Sequence, residues 1–130
     1  FMITVVAALI FQNNKVLLAK RSTGDQDVFG KWEFPGGKVE KGEDELLAIE
    51  REITEEFELK VHAKKFIVNH VYQYPTKTID LRLYECEYVS GEFKLHDHSQ
   101  YEWVDLEQLL TYDLAPADIP LAKYVKERMR

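Results

Sequence analysis

Residues 36–59 read GGKVEKGEDELLAIEREITEEFEL, and no other stretch of the chain is as acidic. Glu40, Glu43, Asp44, Glu45, Glu50, Glu52, Glu55, Glu56 and Glu58 all fall within it. From Glu43 to Phe57 the apolar residues keep a helical period. On a wheel of about 100° per residue with Glu52 at zero, Leu46, Ile49, Ile53 and Phe57 gather between about 60° and 140°. Ala48, Glu52, Glu55 and Glu56 gather on another side, between about 300° and 40°. The i, i+3, i+4 spacing therefore brings three carboxylates onto one face. Asp44 stands where an N-cap belongs, and an acidic first turn suits the positive end of the helix dipole.

Three carboxylates on one face repel one another. A solvated surface masks that repulsion with water and salt, and most charge runs are of this kind. A hard divalent cation removes it directly. Mg²⁺ prefers oxygen ligands in octahedral geometry and is usually shared with substrate phosphates. The helix face alone leaves both readings open.

The order of the fixed residues separates them. Gly37, five residues, Glu43, seven residues, then Arg51-Glu52-Ile53-Thr54-Glu55-Glu56 resembles the signature box of the Nudix family. The pattern is matched at every fixed position but one: its final Gly is Glu58 here, followed by the expected aliphatic Leu59. A Gly there would suit a left-handed C-cap. A non-Gly residue in that conformation costs on the order of 1 kcal/mol. The expectation is a slightly altered turn after the helix and an intact metal-facing side.

Length and composition set the frame for this reading. The chain has 130 residues and is 45% hydrophobic, enough for one globular domain with its own core, spanning 1–130. A net charge of −6 argues against a nucleic acid polymer as partner, since that needs a basic face. It leaves a phosphate substrate open, because a bound metal can supply positive charge. Cys86 is the one cysteine, so no internal disulfide can form; a reducing, cytoplasmic setting is the expectation. No run of about 18 apolar residues suggests a membrane span, and no signal peptide pattern opens the chain. Phe1 ahead of Met2 reads as a residue left by expression. Oligomeric state is not legible.

The remaining elements follow in order. Ile3–Phe11 is β-branched and apolar almost throughout, as in a strand buried on both faces. Gln12-Asn13-Asn14 turns, and Lys15–Arg21 makes a second strand of a hairpin. Ser22–Lys31 is a polar loop, Trp32–Phe34 a short extended piece, and Pro35-Gly36-Gly37 a turn whose glycines permit close backbone approach. Lys60–Tyr74 and Thr78–Val89 are strands, the second half-buried and antiparallel. Tyr101–Val104 is a short strand. Asp105 caps a helix over Leu106–Leu110, Thr111–Pro120 is a loop, and Leu121–Met129 a last helix. His96-Asp97-His98 could suggest zinc, but only Cys86, His62 and His70 remain to complete a tetrahedral set, and that reading is set aside. Runs of strands with few helices argue an α+β class.

The resemblance implies more than composition or spacing can. It implies a mixed sheet sandwiched between helices. Beyond the box, residues 5–10, 17–21 and 32–40 look like the MutT-type branch, which hydrolyses nucleoside triphosphates and includes 8-oxo-dGTP diphosphatase. Leu114–Pro120 and the loop before Trp103 look like its CTP pyrophosphohydrolase relatives. The implied reaction is Mg²⁺-dependent hydrolysis of an NTP to NMP and pyrophosphate, with Mn²⁺ as an alternative ion. The implied metal set is Glu52, Glu55, Glu56 and the Gly36 carbonyl, with Asp97 as a further ligand or as the base. Glu43 and Arg51 match a pair usually given a structural role, with Glu43 assisting the metal shell; with Glu52 and Glu55 they form the expected catalytic group. Lys38 is placed to touch phosphate. Asp118 falls where the branch puts a base-reading Asn, or else caps the last helix. Arg21 and Phe34 match positions lining the base pocket; otherwise they are a solvated strand end and a core residue. Two rivals stay open: hydrolysis of ADP-ribose or a nucleoside diphosphate sugar, and a non-catalytic nucleotide-binding module.

Overall fold

The computed structural model describes residues 2–129; Phe1, with its suggested origin, lies outside them. Seven strands and two α-helices follow in the order β1 (Met2–Gln12), β2 (Lys15–Arg21), β3 (Trp32–Glu33), β4 (Gly36–Lys38), α1 (Glu45–Phe57), β5 (Leu59–Gln73), β6 (Thr78–Gly91), β7 (His98–Asp105) and α2 (Ile119–Arg128). The strands form one mixed sheet, ordered β3-β2-β1-β6-β5, with β4 added to β1 and β7 to β2.

The apolar run of β1 is buried on both faces, as its composition requires. Val6, Ala8 and Ile10 pack with Ala48, Ile49, Ile53 and Phe57 of α1. Ala7 and Leu9, pointing the other way, pack with Leu109, Leu121, Ala122 and Val125 beneath α2. The sheet thus has a helix on each face, the α+β sandwich expected. β1 runs parallel to β6 from Met2↔Thr78 to Phe11↔Glu87. That pairing explains why β6 is not a half-buried strand of a simple meander: Tyr84 and Cys86 are buried under α1 while Leu81 and Leu83 face the other core.

The β1–β2 hairpin closes only at its tip, Phe11↔Val16 and Gln12↔Lys15, through Asn13 and Asn14 with φ of 52° and 64°. Below the tip the two strands separate. β3 pairs with β2 and β4 pairs with β1, so residues 32–38 cross the gap. Pro35-Gly36-Gly37 is therefore not a free turn. Gly36 and Gly37 enter a strand because they carry no β-carbon: one on Gly36 would sit 1.9 Å from the Val6 carbonyl oxygen.

Other boundaries differ for local reasons. α1 begins at Glu45, because Asp44 is the cap and its carboxylate accepts from Leu47 N at 3.2 Å. β7 is longer than its apolar core, since its polar residues pair along β2 at the sheet edge. Leu106–Thr111 is a 3₁₀ helix, and Asp105 makes no side-chain cap. A 3₁₀ turn spans Pro116–Asp118, and α2 starts two residues early with Pro120 in its first turn, where a missing N–H costs nothing. Among the described residues no helix is long and apolar enough to cross a membrane.

Candidate active site

α1 lays its apolar side on the sheet and crosses β4 at the edge of its acidic side, so that the three carboxylates are covered to different degrees. Ala48, which the wheel puts with the acids, is fully buried. Glu52 is pressed onto β4: a β-carbon on Gly37 would meet its Oε2 at 1.8 Å. Glu56 is half-buried and Glu55 exposed. The three carboxylates therefore occupy a gradient from covered to open.

Arg51 organises the group. Its Nε and Nη2 donate to the two oxygens of Glu43 at 2.6 and 2.9 Å, a bidentate pair. Nη1 donates to Glu52 Oε1 at 3.0 Å and to Glu55 Oε1 at 2.9 Å. Nη2 also reaches the carbonyl of Lys38 at 3.1 Å, tying the helix to β4. Glu43 accepts in addition from the backbone of Glu40. The Arg51 hydrogen bonds, with that N–H, hold the Glu43 carboxyl down at about 2. Glu43, above all, raises the Arg51 guanidinium further above its already high range.

The second half of the group has too much negative charge. Burial raises Glu52 despite Arg51. Glu56 is pushed up to about 8, first by burial, then by a hydrogen bond shared with Asp97 and by the charges of Glu52 and Glu33. Asp97 thus reaches α1 from the loop between β6 and β7, far away in sequence. Among the described residues no three carboxylate, imidazole or thiol groups stand gathered as a ready-made cation site. The reason is geometric: Glu52 and Glu55 are turned to Arg51, and Glu56 to Asp97. The donor chemistry still fits a hard dication, since all these side chains offer carboxylate oxygens and, among the described residues, neither Glu56 nor Asp97 has a cationic partner within salt-bridge distance.

Beside this group, on the gap between β1 and β2, lies a cavity of about 190 Å³ bordered by Arg21, Glu33, Lys38, Tyr74, Lys77 and Asp118. Gly36, Gly37, Phe34 and Asp118 line its continuation beneath β4. Asp118 stands at the N-cap position of α2 but makes no side-chain cap; its Oδ2 instead accepts from Phe34 N at 2.9 Å. Burial and the neighbouring Glu33 push its carboxyl well up, against the Phe34 N–H and Arg21. A protonated Asp118 has a donor as well as an acceptor, which an acceptor-only carboxylate lacks. The Phe34 ring belongs to the core, while its backbone and position line the cavity. Arg21 is half-buried, donating to Glu33 at 3.4 Å and to the Thr23 carbonyl.

The structure therefore brings Glu43, Arg51, Glu52 and Glu55 into one network, Glu56 and Asp97 into a second, and Arg21, Phe34, Lys38 and Asp118 around one cavity. Four neighbours were not foreseen. Glu33 links the parts, accepting from His98 Nε2 at 2.8 Å and lying near both Glu56 and Asp118. His98 is buried against the Phe57 ring, 4.9 Å between centroids. Tyr74 and Lys77 enter from the β5–β6 hairpin, where Tyr74 Oη accepts from Ala117 N. Nothing in a Tyr-Pro-Thr-Lys turn marks it as a cavity wall; only the parallel pairing of β6 with β1 carries that hairpin to the site.

The chain matches the sequence profile described as "NUDIX domain" over residues 2–125. It is 38% identical over 120 residues to the CTP pyrophosphohydrolase of Escherichia coli K12, covering 92% of this chain and 88% of that one. It is 30% identical over 115 residues to the 8-oxo-dGTP diphosphatase of the same strain, covering 88% of each. The solution structure of the E. coli ORF135 protein superposes with a TM-score of 0.86 at 35% identity, covering 97% of this chain and 89% of that one.

Proposed function

Since the chain belongs to the NUDIX domain family, we propose that it is a Mg²⁺-dependent nucleoside triphosphate pyrophosphohydrolase, releasing pyrophosphate and a nucleoside monophosphate. The observation that carries this reading is that Gly37, against which Glu52 of α1 rests, also lines the cavity walled by Arg21, Lys38 and Lys77. A triphosphate is long and highly charged, and its nucleoside is partly apolar. A base and ribose fit the cavity, while the polyphosphate runs past Lys38 toward Glu52 and Glu56.

Glu52, Glu55 and Glu56, with the Gly36 carbonyl and Asp97, would hold the ion, Mg²⁺ or Mn²⁺. When bound, that ion neutralises the polyphosphate and lowers the pKa of the attacking water. Arg51 holds Glu52 and Glu55 in place and balances their charge, and Glu43 fixes Arg51. Lys38 contributes a cation to the phosphates. Asp118 reads the base edge, with Phe34 N–H holding one of its oxygens and leaving the other for the ligand. The names of the two relatives point to cytidine and oxidised guanine nucleotides as substrates. The buried Cys86 suits a reducing, cytoplasmic setting.

The test is pyrophosphate release with Mg²⁺ from CTP, dCTP, 5-methyl-dCTP, dGTP and 8-oxo-dGTP, compared with AMP formation from ADP-ribose. Turnover of at least one triphosphate to monophosphate supports the reading. Turnover of ADP-ribose alone moves the protein to the diphosphate branch. Nucleotide binding without any turnover makes it a binding module.

A further inference from the structure

Glu58 occupies the one box position at which this chain departs from the Nudix pattern. It takes the left-handed conformation there itself, with φ 56° and ψ 34°, and its N–H bonds the Thr54 carbonyl. The turn is thus the one a Gly would make, and the expectation of an altered turn is not met. A β-carbon in that region costs on the order of 1 kcal/mol. The side chain gained in exchange is not idle: Glu58 Oε2 accepts from His96 Nε2 at 2.7 Å.

The segment carrying His96 is pinned to the end of α1 at two more points. Lys94 N donates to the Phe57 carbonyl at 3.0 Å and His96 N to the Glu56 carbonyl at 3.3 Å. These are carbonyls that a helix C-terminus leaves without partners. The next residue is Asp97, whose carboxyl meets Glu56. Its carbonyl accepts from Ser22 N at 3.0 Å, beyond which β7 begins. Asp97 is therefore strung between α1 and the end of β2, and on the residue just before it the His96–Glu58 contact adds a side-chain tie to α1.

We propose that the Glu58–His96 contact is a latch that positions Asp97 against Glu56 for cation binding. This rests on the metal set of the proposed function. Both side chains are nearly half exposed, so the tie is modest in strength and acts on the loop rather than on the fold.

The experiment uses Glu58→Gly, Glu58→Gln and His96→Ala in the full chain. Three readouts are taken: the melting temperature, amide exchange at His96, and Mn²⁺ affinity without nucleotide. Glu58→Gly relaxes the left-handed turn, so it melts no lower than the wild type. It nevertheless speeds exchange at His96 and weakens Mn²⁺ by about three-fold, the scale an exposed pair can supply. Glu58→Gln keeps an acceptor oxygen but not the charge, and it behaves as the wild type in both. His96→Ala matches Glu58→Gly, and the double variant is no worse than either. Wild-type exchange and Mn²⁺ affinity in Glu58→Gly overturn the latch. So does equal weakening by Glu58→Gln, which would make the effect one of charge. Absence of Mn²⁺ binding by the wild type sinks the metal set itself, and is read separately from the variants.

Discussion

The carboxylate of Glu52 rests on the α-carbon of Gly37, so closely that a β-carbon there would lie 1.8 Å from Oε2. Gly36, one residue earlier, is equally tight, but against the Val6 carbonyl at 1.9 Å. The two glycines thus face different obstacles. A Glu tip can swing aside; a backbone carbonyl inside a strand pair cannot.

Gly37→Ala is therefore expected to fold while displacing Glu52, with loss of the Arg51–Glu52 bond, about 1 kcal/mol. Activity falls about 100-fold, as for an ångström-scale misplacement of a site group. Gly36→Ala is expected to cost about 1–3 kcal/mol of stability, because β1 and β4 must part. Urea unfolding beside Mg²⁺-dependent pyrophosphate release checks both; a Gly37→Ala protein with full activity would show that the Glu52 position is immaterial.

Acid sensitivity should trace to Glu43. Its carboxyl is held at about 2 in the fold by Arg51, against an ordinary 4.5. A depressed carboxylate stabilises the fold above its unfolded pKa, and that contribution is lost as pH falls through the folded value. Stability is expected to decline between about pH 5 and pH 2, and Glu43→Gln to flatten that window. Melting temperatures across the range decide it. An unchanged slope in the variant would place the acid sensitivity elsewhere.

Asp118→Asn retains an oxygen for the Phe34 N–H and is expected to leave stability within about 1 kcal/mol. It should alter the ranking of cytidine against guanine nucleotides, because an amide presents donors where a carboxyl presents one or none. Asp118→Ala leaves a buried N–H without a partner and is expected to cost about 1–3 kcal/mol. An unchanged substrate ranking in Asp118→Asn would remove this residue from base reading.

Cys86 is 2% exposed, and burial pushes its thiol up to about 12. The thiolate is the reactive form. A disulfide reagent at pH 8 should find essentially no thiol in the native protein and one after denaturation. Rapid native labelling would mean that the α1 face of the sheet opens readily.

Much of this molecule can be read from its residues. The acidic helix, its Asp44 cap, the double-faced β1 and the box all lie in local sequence, where period and spacing report directly on structure. Residues 36–38 do not, because Gly-Gly signals a turn unless a strand waits for it, and β1 is thirty residues away. The partial cover of Glu52 and Glu56 is hidden for a similar reason: a helical wheel finds the apolar side that the sheet takes, but not that β4 and the segment before β7 close over part of the acidic side. Glu33 and His98 stayed out of view because their meaning lies in each other, 65 positions apart.

The hydrogen bond between Phe34 and Asp118 spans 84 positions. The cavity floor is thus closed from a segment far along the chain from the turn it bonds. A nick between α1 and α2 would leave the α1 carboxylates on one fragment and that floor on the other, so the two halves of the candidate site depend on one unbroken backbone.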